Sequence, residues 1–106
     1  MMKVLNLVAT VVIGIQVSIA SAQNPGEEIY KNNCALCHGA TGEADTPAGQ
    51  KVKAPHLNTA EVSGKSDREL IAFTRKGKGE MPAWGEILSS QEVTDVITYV
   101  RTLEKK

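Results

Sequence analysis

Cys34-Ala35-Leu36-Cys37-His38 is the stretch of this chain best equipped for chemistry. Two thiols three positions apart lie on roughly one face of a helical turn. Both can therefore bond to one planar ligand, and the neighbouring His38 ring can turn beneath it to reach a metal. A C-x-x-C-H run is the attachment signature of a c-type haem, with two thioethers and one proximal imidazole. Two other chemistries use paired cysteines. A redox dithiol of the thioredoxin kind sits in a βαβ setting, and no strand pattern is visible here. A zinc centre needs two further ligands at matched spacing, and the chain offers only His38 and His56 as histidines.

A haem iron held by His38 has room for a second axial ligand. Met81 is the expected one. Methionine is often a gap filler in cores, but Gly77-Lys78-Gly79-Glu80-Met81-Pro82 is not a core segment. A glycine-rich turn there can present the thioether instead of burying it. His/Met ligation raises the reduction potential relative to two histidines. It also leaves no open position on the iron, which favours electron transfer over oxygen chemistry. His56, after Pro55, is the alternative ligand and would give a low-potential centre; otherwise it is a solvated imidazole.

These residues need elements to hold them. Asn24 followed by Pro25 reads as a helix start, with Glu27 and Glu28 in the first turn, and predicts a helix from about Pro25 to Asn33. Residues 39–59 read as a long irregular stretch containing Gly39, Gly42, Pro47, Gly49 and Pro55. A structureless loop of ~20 residues in a small domain is unusual and usually functional; this one is either a floppy surface loop or one that wraps something. Ser66-Asp67-Arg68-Glu69 predicts a capped helix running to about Lys76 and stopping at Gly77. Ser90 opens the last element. Val93, Val96, Ile97, Val100 and Leu103 then form one apolar stripe on a helix. No strand and no internal repeat is legible, so the fold class is all-α.

The first residues read as a secretory leader: Lys3, then an apolar run from Val4, ending in Ala20-Ser21-Ala22. Cleavage is expected after Ala22. An uncleaved anchor is the rival, but Asn6, Thr10, Gln16 and Ser18 interrupt the run. Residues 23–106 are then one domain of 84 residues. A core of that size is marginal without a staple, a metal or a cofactor. The full chain carries 12 basic and 12 acidic residues. Losing Lys3 makes the balance −1, and no basic excess points to nucleic acid.

Four segments in order, C-A-L-C-H-G, A-P-H-L, G-E-M-P-A-W-G and V-I-T-Y-V-R-T-L, resemble the class I monohaem c-type cytochromes, most of all the small bacterial periplasmic ones. The resemblance covers residues 25–104. It implies a cytochrome c-like fold, with three to four short helices wrapped around one covalently attached haem. It places Gly26, Tyr30 and Tyr99 at the crossing of the first and last helices. It makes Pro55 the acceptor for the His38 ring N–H and puts Trp84 near the haem. The implied haem-binding set is Cys34, Cys37, His38, Met81, Pro55 and Trp84, with His38 and Met81 on the iron. His56 stands where the family often has an acidic residue.

The implied function is that of a periplasmic one-electron carrier, a monomer with no catalysis of its own. It would serve redox partner proteins and meet the membrane only through transient redox complexes. Lys51, Lys53, Arg75, Lys76 and Lys78 are either a docking ring for an acidic partner or a solvated face. The rival functions are a haem subunit of an oxidoreductase complex, and a small peroxidase or gas sensor with an open iron.

Overall fold

The computed structural model describes residues 8–15 and 24–104. Residues 8–15 are exposed and form no helix or strand. The expected cleavage site after Ala22 lies outside the described residues.

Helix α1, Pro25–Ile29, starts as its sequence requires. The Asn24 side chain accepts from the Gly26 N–H at 3.0 Å, Pro25 fills the first turn, and Glu27 and Glu28 face the positive end of the helix. The chain does not stop at Asn33. It widens into a π-helical turn, Tyr30–Cys34, closed by the Ala35 N–H on the Tyr30 carbonyl. It then tightens into α2, Ala35–His38. Gly39, at φ +79°, ends this path. The whole C-x-x-C-H run is thus carried on one helical path that begins at Pro25. A π turn uses more residues per turn than an α turn, so it resets the direction in which Cys34 and His38 point.

The stretch 39–59 is not structureless. Thr46 accepts from the Gly49 N–H at 3.0 Å and Pro47 opens α3, Pro47–Val52. This is the same cap-then-proline signal that starts α1. The Thr46 hydroxyl also donates to the Leu36 carbonyl, which ties α3 to α2. A one-turn helix α4, Ala60–Ser63, follows its Thr59 cap. Helix α5, Asp67–Lys76, runs as expected from the Ser66 cap to Gly77. A 3₁₀ turn, Trp84–Glu86, leads to α6, Ser90–Arg101. Ser89 and Glu92 form a reciprocal capping box at its start, at 2.9 and 3.1 Å. Six α-helical stretches therefore exceed the three to four expected among the described residues. The excess comes from α2, α3 and α4, too short to show a period.

The core lies where α1 and the π turn cross α6. Tyr30, Val96 and Val100 form a buried cluster there, with Ile29, Leu57, Tyr99 and Leu103 packed around it, and Val93 and Ile97 are also buried on α6. The stripe on α6 is the inward face foreseen from its spacing. Burying one such aliphatic side chain contributes about 1.5–3 kcal/mol. With so few fully buried, much of the remaining apolar surface must face something else. Among the described residues no strand forms, and no helix is long and apolar enough to cross a membrane.

Candidate functional site

The apolar surface left over by the core faces one cavity of about 880 Å³. That is within the range of ligand sites, roughly 300–1,000 Å³. The inner turn of the first helical path contributes Tyr30, Cys34 and His38. Helix α6 contributes Val96, Ile97 and Val100 to the same space, so the back of the core is also a cavity wall. Segment 55–62, helix α5 and the turn after it supply the other sides, and Met81 stands among them.

His38 is fixed by one hydrogen bond. Its Nδ1 lies 3.1 Å from the Pro55 carbonyl oxygen. That oxygen can only accept, so Nδ1 carries the proton. Burial pushes the ring below the ordinary imidazole range, and the bond to Pro55 acts in the opposite sense. The neutral ring therefore keeps its lone pair on Nε2, the atom a metal would take.

Burial pushes the Cys34 thiol up to about 11. Redox-active dithiols need the reverse, a depressed thiol. That argues against a thioredoxin-like use. Among the described residues no three His, Cys, Asp or Glu side chains gather where a metal ion could sit, so a zinc centre has no ligand set.

Met81 is placed by a tight turn. Lys78 and Met81 exchange backbone hydrogen bonds of 3.1 and 3.0 Å across Gly79 and Glu80. Gly79, at φ +59°, takes the left-handed position this turn demands. Pro55 and His56 also line the cavity, and His56 is exposed at its edge. Cys34, His38, Pro55 and Met81 are thus brought together. Cys37 and Trp84 are half-buried and stand outside the cavity lining. Cys37 is locked by its backbone instead: α3 approaches so closely that a Cβ on Gly49 would lie 2.0 Å from the Cys37 oxygen.

A haem fits this site on two grounds. The space is large and its walls are mostly apolar. Its donors include the neutral His38 imidazole and the Met81 thioether, a pair that suits a haem iron, with His56 exposed at the edge. Leu57, Val62, Leu70 and Phe73 were not singled out from the sequence as site residues, yet they line it. Phe73 is 48% exposed in the fold, but its place on the apolar side of a capped helix reads in the sequence as an ordinary core position.

The family comparison agrees. Residues 21–100 match the family model for cytochrome c oxidase, cbb3-type, subunit III. A cytochrome c6 of Pyropia yezoensis is 30% identical over 112 residues, spanning 100% of this chain and 98% of that one. A cytochrome c6 of Euglena viridis is 34% identical over 76 residues, 71% of this chain and 85% of its own length. The cbb3-type cytochrome c oxidase subunit CcoP of Azospirillum brasilense is 33% identical over 86 residues. That match takes 79% of this chain but only 29% of the larger CcoP protein. Among solved structures, the KustC0563 c-type cytochrome superposes with a TM-score of 0.68 at 30% identity, over 76% of this chain and 98% of that one. A shared all-α fold, a family model matched over residues 21–100 and a cytochrome c6 relative covered almost end to end lead to one conclusion: this chain belongs to the class I c-type cytochromes.

Proposed function

We propose that the protein is a periplasmic one-electron carrier with a single haem, bonded to Cys34 and Cys37 and ligated by His38 and Met81. The observation that carries this reading is that His38 and Met81 line one apolar cavity together with Cys34. The haem would supply an Fe(III)/Fe(II) couple. The chain supplies the rest. Pro55 holds the His38 ring in the tautomer that leaves Nε2 for the metal. The 78–81 turn presents the Met81 sulfur, and the Val96, Ile97 and Val100 wall keeps water from the site. Two protein ligands leave no position for substrate, so the chain acts as a carrier and not as an enzyme in its own right. Trp84 would act by packing from outside the lining.

Export with cleavage after Ala22 completes the proposal and leaves residues 23–106 as one domain. A specific observation favours a second reading. The CcoP relatives are oxidase subunits by name, so the chain could serve as the haem subunit of an oxidoreductase complex. Co-purification from the native source separates a subunit from a free carrier.

The test is a pyridine haemochrome spectrum with intact mass on the exported protein. One haem per chain, covalently retained, on a chain starting at Gln23 is the expected result. A ferric band from the Met–iron bond should be present in the wild type and absent in Met81→Ala. A high-spin wild-type iron that binds carbon monoxide readily would overturn the carrier reading in favour of an open-site protein.

A further inference from the structure

Arg101, the last residue of α6, reaches across to the segment that joins α4 and α5. Its Nη1 donates to the Val62 carbonyl at 3.2 Å and to Glu104 Oε1 at 3.1 Å. Its Nη2 donates to the Lys65 carbonyl, and its Nε donates to Asp67 Oδ1 at 2.9 Å. One guanidinium thus spans the end of α4, the linker and the first residue of α5.

The segment needs such a grip. A helix of a single turn does not hold itself together in water. In α4 only Val62 is partly buried, while Ala60, Glu61 and Ser63 are exposed. Val62 packs on the Tyr30–Val96–Val100 cluster, and Arg101 supplies the polar anchor. The bonds are not of equal value. The Asp67 carboxylate is 70% exposed, so its ion pair is weak. The Arg101 side chain is only 25% exposed; it gives the linker carbonyl of Lys65 a charged donor and adds a second donor to the Val62 carbonyl, which also accepts from the Lys65 N–H at 3.1 Å. Thr59, Glu61, Val62, Lys65, Glu69 and Leu70, around and within this segment, form one side of the cavity.

We propose that Arg101 is a positioning residue: it straps the 60–67 segment down as a wall of the haem cavity and so limits water access to the iron. The proposal rests on the carrier reading for its link to potential, but the strap itself is a property of the chain. Lysine cannot replace arginine here, because a compact ammonium cannot bridge separate carbonyls as the fork does.

The experiment compares wild-type, Arg101→Lys and Arg101→Gln holoproteins, with haem content read by haemochrome. Amide hydrogen exchange is measured for a peptide covering 59–67 and for one within α6. In both variants, exchange in 59–67 should speed up about tenfold or more, as the loss of charge-assisted hydrogen bonds implies. The α6 peptide should stay within about twofold of wild type. The midpoint potential should fall in both, because water at the site stabilises the oxidised, more charged iron. If Arg101→Lys matches wild type and only Arg101→Gln shifts, charge alone is at work and the strap is overturned. Equal acceleration in both peptides would also overturn it, as would no change in either variant. A wild-type protein without haem would sink the carrier reading, and the exchange contrast would still judge the strap.

Discussion

Gly26 on α1 meets Asp95 on α6 so closely that a Cβ at position 26 would lie 2.0 Å from the Asp95 carbonyl oxygen and 3.0 Å from the Tyr99 Cβ. The obstacle is backbone, which cannot swing aside. Gly26→Ala should therefore push the two helices apart and loosen Tyr30, Val96 and Val100 beneath the crossing. A loss of about 3 kcal/mol is expected, at the upper end for an overpacked core. Urea unfolding of the holoprotein measures it. An unchanged midpoint would mean that the crossing yields without loss.

His38 gives the protein a direction of pH dependence. Burial, the larger effect, holds its folded pKa below the ordinary imidazole value, while the Pro55 bond works against it. The ordinary value is about 6.5. Between the folded pKa and that value, the unfolded chain binds more protons than the folded one. Stability is then fully present above about 6.5 and declines as pH falls through that window. A metal bond to Nε2 would act in the same direction, since a proton competes for the same lone pair. Unfolding midpoints at pH 7.5 and pH 5 check this; a higher midpoint at pH 5 would contradict it.

Much of this was legible in the residues. The helix at Asp67–Lys76 announced itself by Ser66 and Gly77, and α6 by its five-residue apolar stripe. The C-x-x-C-H run pointed to the c-type cytochrome family, which the family match shows. The π turn at Tyr30–Cys34 was not legible, because nothing in Tyr-Lys-Asn-Asn-Cys distinguishes a π turn from an α turn. Its cause is tertiary: Tyr30 is drawn into the core by α6 while Cys34 must face the cavity. Helix α3 was missed although Thr46-Pro47 carries the same start signal as Asn24-Pro25, because three glycines and two prolines nearby outweighed it. The cavity walls were illegible for a different reason. Leu57, Val62 and Leu70 look like ordinary core positions until the fold shows that the core is already filled.

Tyr30 is fully buried, and its hydroxyl donates to the Gly39 carbonyl at 2.6 Å. Burial is the first cause that raises its phenol above the ordinary range, so it stays a neutral donor. Tyr30→Phe removes that donor, but the Gly39 carbonyl keeps the Gly42 N–H at 3.3 Å. The loss should therefore be modest, about 1–2 kcal/mol. The ring would still pack on Tyr99, whose centroid is 5.2 Å away. Haem content should match wild type while the unfolding midpoint falls. A variant that loses haem would give the hydroxyl a larger part than one hydrogen bond.

The turn that presents Met81 separates strain from contact. Gly77 and Gly79 both have positive φ, +67° and +59°. A side chain at either would meet a positive-φ penalty of about 1–3 kcal/mol, and Gly77, with ψ 176°, lies in a region that glycine alone adopts freely. Their surroundings differ. A Cβ on Gly77 would lie 2.5 Å from the Pro82 oxygen and 2.6 Å from the Met81 oxygen, whereas one on Gly79 would meet nothing within 4 Å. Gly79→Ala should then lower stability and leave the Met–iron band and the potential unchanged. Gly77→Ala should also displace the backbone at 81–82, weaken that band and lower the potential. Optical spectra and potentiometry on the two holoproteins read the contrast. Equal damage to the band in both would show that turn strain, and not the Gly77 contact, places the Met81 sulfur.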